Sequence, residues 1–177
     1  MTRGRKAIWV VPCGKAKVWD KEPERGRIAA RDVYVGSFAV AARKYAEHFN
    51  DGRWLILSAK YGFLAPDDVV PGPYEVSFTK RSTGVITTTE LTRQAAKRGL
   101  DKNPEVVVIA GRAYVDAVRA ALAATKVRVV SPLAGLGGMG MMMAALKRAR
   151  ERDRPLPLRR PRARRCRHAF SLPRPPG

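Results

Sequence analysis

Four short apolar runs, each closed by polar or turn-forming positions, set the frame of this chain: 7–13 (AIWVVPC), 53–59 (RWLILSA), 105–111 (EVVVIAG) and 127–132 (VRVVSP). Each is nearly continuous rather than alternating and is rich in β-branched residues or tryptophan. That is the pattern of strands covered on both faces. Between them the apolar period lengthens. In 37–49 (SFAVAARKYAEHF), Phe38, Ala41, Ala42, Tyr45 and Phe49 share one helical face. In 112–124 (RAYVDAVRAALAA), Tyr114, Val115, Val118 and Leu122 do the same. The stretch 87–99 (TTTELTRQAAKRG) opens on a threonine cap and stops at Gly99, and a last helix is predicted over about 138–152. Strands alternating with helices imply parallel crossovers. The expected fold is α/β, a mostly parallel sheet with helices on both faces, in a single domain over residues 1–153.

Composition adds a partner to this picture. The 177 residues carry 35 lysines and arginines against 15 acids, a net charge of +20. The segment 154–177 (RPLPLRRPRARRCRHAFSLPRPPG) is rich in arginine and proline and has no acid, so it is expected to be a disordered basic tail. Without it, 27 basic residues still face 15 acidic ones, a net +12. A basic domain of this kind suits a polyanion, whose condensed counterions are released on contact. Nucleic acid is the expected partner, with no obligate protein partner evident. No apolar run approaches the roughly 18 residues of a membrane span, and the basic N-terminus runs straight into a strand. Cys13 and Cys166 stand far apart in unlike surroundings, which argues against a disulfide framework and for a cytoplasmic setting. No Cys/His cluster has metal-ligand spacing, so neither a metal nor a cofactor is expected.

In open α/β sheets ligands gather beyond the carboxyl ends of the strands, and those ends are distinctive here. After the first comes CGKAK. Gly14 lets backbone approach a ligand closely, and Lys15 and Lys17 offer point charges to phosphate. Cys13, beside two cations, is either a thiol with a lowered pKa or a small apolar filler. After the second strand comes SAKYGFLAPDD. Ser58, Lys60 and Tyr61 lead into a glycine turn at Gly62; Ser58, Tyr61 and Gly62 are expected to contact nucleic acid, and Lys60 is placed to hold phosphate or form an imine. Asp67 and Asp68, the paired carboxylates, either activate water or shape the turn. Tyr34 and Tyr74 lie in loop-like sequence and suit either base stacking or packing at the domain edge. Arg112 follows the third strand. The closing GLGGMG offers Gly137 and Gly138 to an anion, flanked by Gly135 and Gly140, while methionines 139 and 141–143 are expected to pack. Neither a P-loop nor a dinucleotide fingerprint is present.

Taken together, PCGKAK, the D-x-Y-x-G segment (Asp32, Tyr34, Gly36), ILSAKYGFLAPD, PYE and the Gly-rich helix resemble a family of small, uncharacterised bacterial and phage proteins distantly similar to the peroxide-stress protein YaaA. The resemblance covers about residues 6–150. It implies DNA binding and damage protection, and an architecture comparable to DNA glycosylases. PC-x-x-x-K (Pro12, Cys13, Lys17) is similar to the motif of archaeosine synthase, where the cysteine is expected to attack a nitrile on a deazaguanine base. The first expectation is therefore an enzyme acting on one damaged or modified base in DNA, of glycosylase type. Its catalytic candidates are Cys13, Lys60, Asp67 and Asp68. The alternatives are a non-catalytic DNA-protecting protein, a base-modifying enzyme using Cys13, and an enzyme of free nucleotides. DNA is favoured over RNA.

Overall fold

The computed structural model describes residues 7–50, 52–80 and 84–158. The four apolar runs become β1 (Ile8–Pro12), β3 (Trp54–Ser58), β6 (Glu105–Val108) and β7 (Arg128–Val130), all parallel. A short antiparallel strand, β4 (Gly62–Leu64), turns back along β3 at one edge. The sheet order is β4-β3-β1-β6-β7. The Tyr-Gly-Phe-Leu stretch, read from sequence as a turn, is thus a turn and an edge strand. A three-residue ladder after a tight turn is too short to show a period.

The helices flank the sheet as expected. Helices α2 (Ser37–Phe49) and α5 (Met139–Glu151) pack together on one face, and α3 (Thr88–Lys97) and α4 (Arg112–Ala121) on the other. Strand alternation divides the core accordingly. Val11, Ile56 and Val107 join Ala42, Tyr45 and Leu146 under α2 and α5. Val10, Leu57, Val106 and Val108 join Leu91, Val115 and Val118 under α3 and α4. Helix α3 is capped by Thr87, whose hydroxyl accepts from Glu90 N–H, and Gly99 with φ +72° ends it.

A roof covers the carboxyl ends of β1 and β3. It contains a two-residue antiparallel ribbon, β2 (Ile28–Ala29) with β5 (Val69–Val70), the single-turn helix α1 (Ala30–Val33), and a 3₁₀ turn at Val18–Asp20. A lone bridge between Lys17 and Tyr34 ties its two halves together. Trp19 is buried there, its indole N–H donating to the carbonyls of Arg25 and Gly26.

Residues 154–158, assigned by composition to the disordered tail, are docked. Leu156 packs on the α2/α5 core, and its N–H donates to Tyr45 Oη at 2.8 Å. Leu156 gives the segment the apolar anchor that the following arginines lack, while Leu158 is exposed. The rest of the tail, 159–177, lies outside the described residues. Among the described residues no helix is long and apolar enough to cross a membrane.

Candidate functional site at the switch point of the sheet

The chain crosses from β1 to β3 on one side and returns past β1 to β6 on the other, so the crevice between the ends of β1 and β6 is the topological switch point. Cys13 stands at this point. It extends β1, with its N–H donating to Leu57 O at 3.3 Å, and shares the parity of Val11, as Ser58 shares that of Ile56. From the far side, the third residue of α4 reaches back. Tyr114 Oη lies 3.4 Å from Cys13 Sγ and accepts from Gly14 N–H at 3.3 Å. Gly14 has φ +69°, and a Cβ there would sit 3.3 Å from Ala39 Cβ on α2. Glycine is needed for the left-handed backbone and for the close approach of α2.

A second group of hydroxyls adjoins the first. Tyr74 Oη lies 2.7 Å from Tyr34 Oη and 2.8 Å from Ser58 Oγ. Ser58 Oγ accepts from the N–H groups of both Lys60 and Tyr61, at 3.2 and 3.1 Å. With its lone pairs so used, Ser58 donates to Tyr74, and Tyr74 donates on to Tyr34. Lys17 is only 6% exposed. Its Nζ donates to Lys15 O at 3.0 Å and lies 4.5 Å from the centre of the Tyr74 ring. Among the described residues no carboxylate pairs with it. Lys60 Nζ stands over Tyr61 and Tyr74, at 5.1 and 5.3 Å from their centres, and is exposed.

Burial dominates the proton equilibria. It pushes the Cys13 thiol above its ordinary value, while the Tyr114 hydroxyl, Ala59 N–H and the Lys17 ammonium pull the other way by less. The sequence had suggested a lowered value from the neighbouring lysines. The structure reverses that sign because Cys13 is 2% exposed and Lys15 points to solvent. Burial likewise raises Tyr34, to about 12. It raises Tyr74 and Tyr114 as well, with the Tyr34 and Cys13 neighbours adding at Tyr74 and Cys13 at Tyr114. The buried thiol and the three phenols therefore keep their protons near pH 7.

Of the residues singled out from sequence, Cys13, Gly14, Lys17, Tyr34, Ser58, Lys60, Tyr61 and Tyr74 come together here. Lys15 and Arg112 stand on the open rim, the Arg112 side chain 94% exposed. Tyr34 and Tyr74 are 3% and 8% exposed, so their rings form the floor, and the partly exposed rings belong to Tyr61 and Tyr114. The carboxylates are elsewhere. Asp67 pairs with Arg31. Asp68 accepts from Ala65 N–H at 2.8 Å and pairs with Arg98, so it closes the turn below β4. Gly62 is buried at the start of β4 against Gln94. Gly137 and Gly138 are exposed ahead of α5, beside β7. Met139 and Met141 are exposed rather than packed, while Met142 packs on the core. Tyr114 was the residue sequence reasoning missed as part of a site. Its signal was its place, three positions beyond Gly111, the glycine that caps α4 shortly after β6. Among the described residues, no group of three or more His, Cys, Asp or Glu is arranged to hold a metal ion.

The Tyr114 phenol shields the thiol. In a Cys166→Ser background, iodoacetamide is expected to modify Cys13 at pH 8 at least about tenfold more slowly than a free cysteine. Tyr114→Ala should restore most of that rate, followed by mass spectrometry of the Cys13 peptide. Equal rates in the two proteins would contradict the shielding.

The sheet order, with helices on both faces and a polar, cation-bearing crevice at its switch point, defines a small doubly wound α/β protein. The chain belongs to the family of unknown function DUF6884, whose model matches residues 8–148. It is similar to the uncharacterized protein YfjM of Bacillus subtilis (strain 168), 39% identical over 146 residues, which is 82% of this chain and 96% of that protein. The family match takes in every site residue from Cys13 to Gly138 and stops short of the arginine- and proline-rich segment.

Proposed function

We propose that this protein binds DNA along the carboxyl edge of its sheet, with the strand crossing the switch point. The observation that carries this reading is the convergence of Lys15, Lys60 and Arg112 with the partly exposed rings of Tyr61 and Tyr114 on one edge of a chain of net charge +20. Cations of this kind hold backbone phosphates, and aromatic rings offer a surface to an unstacked base. Lys17, buried and without a carboxylate partner among the described residues, adds a fixed positive field behind the rim. The resemblance to the YaaA-like group supports the same partner. Cleavage driven by Asp67 or Asp68 loses support, because both carboxylates are held in ion pairs away from the cluster. Lys60 is the exposed amine through which excision of a damaged base would run.

The test is fluorescence anisotropy of a labelled duplex across a salt series. The logarithm of the binding constant should fall linearly with log salt, and Lys60→Ala should flatten the slope by about 0.9 for one lost phosphate contact. No binding, or a slope unchanged by Lys60→Ala, overturns the reading. Duplexes bearing uracil or an oxidised base, treated with alkali after incubation, separate an enzyme from a binding protein. Strand scission that Lys60→Ala abolishes marks an enzyme, and intact strands mark a protecting protein.

A further inference from the structure

Beside the switch point, one strand further along the edge, a cavity of about 420 Å³ opens between α4 and the loop that joins β7 to α5. Its size is that of a small-molecule site. We propose that this cavity seats the base of one DNA nucleotide turned out of its stack. The inference rests on the DNA-binding reading and supplies the pocket that such a reading requires.

Three features carry it. The walls are apolar and stand opposite each other, Val115 on α4 against Leu136 and Met142 on the α5 side, which suits a flat heterocycle between them. The rim is cationic. Arg112 and Arg119 share one carboxylate, Asp116, at 3.5 and 4.0 Å, so the pair keeps a net positive charge and most of its N–H donors for phosphates flanking the seated base. The floor is polar and buried. Ser131 is 3% exposed, and its hydroxyl accepts from Leu133 N–H at 3.3 Å. Its own proton has no acceptor among the described residues, and it lines the cavity, ready to donate to a ring nitrogen or exocyclic oxygen. The larger groove between α3 and α4, lined by Phe78, Leu91 and Ala117, has Asp116 as its one charged lining residue and does not suit an anion. Arg112 stands at the mouth of the cavity and on the rim of the switch point, so a strand bound at one reaches the other.

A base drawn from the stack is read by 2-aminopurine, which fluoresces more strongly once unstacked. A mismatched duplex carrying one 2-aminopurine, saturated with the full-length protein, is expected to brighten several-fold. Leu136→Trp and Met142→Trp each fill the cavity from one side. They should abolish the rise while leaving duplex affinity, measured by anisotropy, within about threefold, because the phosphate contacts are untouched. Binding without a rise in the wild-type protein overturns the proposal, as does a rise that survives both substitutions. If no duplex binds, the DNA reading has failed by itself. The cavity is then tested with deoxynucleoside monophosphates in equilibrium dialysis. Binding lost in Met142→Trp keeps the cavity as a seat for a free nucleotide, and no binding overturns it.

Discussion

Taken from about pH 9 to about pH 12, the protein should lose its fold, with stability falling more steeply the further the pH rises. The cause is the cluster at the switch point. Cys13, Tyr34, Tyr74 and Tyr114 all have their proton affinity raised by burial, Tyr34 to about 12. In the unfolded chain the thiol ionises near 8.5 and the phenols near 10. Above those values the unfolded state has released protons that the native state still holds, so stability declines as pH rises. The contribution is fully present below the unfolded values and is lost, group by group, up to the folded ones. Each group costs about 1.4 kcal/mol per pH unit in that window. With the three phenols in play above about pH 10.5 the slope reaches roughly 4 kcal/mol per unit, which exhausts a typical net stability of 5–15 kcal/mol within a few units. Tyr45, also raised by burial, acts in the same direction. Urea unfolding at a series of pH values and constant ionic strength measures the slope. Tyr34→Phe removes one ionising group and should flatten it by about 1.4 kcal/mol per unit. A stability flat to pH 12, or a Tyr34→Phe slope equal to that of the parent, would refute this account. The comparison is made between variants because lysine deprotonation relieves the self-repulsion of the +20 chain in both alike.

The same cluster bears on the proposed contact of the edge with an anion. Its thiol and phenols are kept neutral by burial, and among the described residues Lys17 is the charged side chain buried beside them, with Lys15 O and the Tyr74 ring against its Nζ. An ammonium is costly to bury without a partner. A phosphate or an electron-rich base edge arriving at Gly14 would meet that field with little screening from water.

The layered fold was legible because its cause is local. A strand buried on both faces must be apolar throughout, and the four runs that met this condition became the four parallel strands. The cap at Thr87 and the stop at Gly99 were legible for the same reason, since each acts within one turn of helix. What sequence could not show was set by pairing at a distance. β2 and β5 are two residues each and exist because they lie beside one another. That pairing roofs over Lys17, Tyr34 and Tyr74, so residues whose neighbours read as open loop are inside. Asp67 and Asp68 read from sequence either as paired catalytic carboxylates or as turn formers, and Arg31 and Arg98, which are 36 and 30 positions away, close on them and leave Asp68 in the turn. Tyr114 sits on a plainly amphipathic helix, and nothing in that period marks it as the residue that reaches Cys13 across the crevice.

Gly62 illustrates the distinction between a glycine for a ligand and a glycine for the fold, and Gly62→Ala should cost about 3–5 kcal/mol of stability. From sequence, Gly62 followed Lys60 and Tyr61 and was grouped with them as a contact for nucleic acid. In the structure it begins β4 with φ +76°, pairs with Ser58, and is buried. A side chain in that backbone conformation costs roughly 1–2 kcal/mol. A Cβ would also lie 2.8 Å from Gln94 Cδ and 2.8 Å from Ile86 Cδ1. The Gln94 amide cannot yield freely. Its Oε1 accepts from Phe63 N–H at 2.8 Å, and its Nε2 donates to Tyr61 O and Glu90 Oε1, both at 3.1 Å. Displacing it strands the polar backbone of the turn that presents Lys60 and Tyr61, at roughly 1–3 kcal/mol for each buried group left unpaired. A double-mutant cycle separates the two terms. Gln94→Ala removes the obstacle, so the double variant should be more stable than the sum of the single losses predicts, by about 1 kcal/mol or more. If Gly62→Ala instead leaves urea unfolding unchanged and weakens duplex binding alone, the glycine is there for the ligand and the packing account fails.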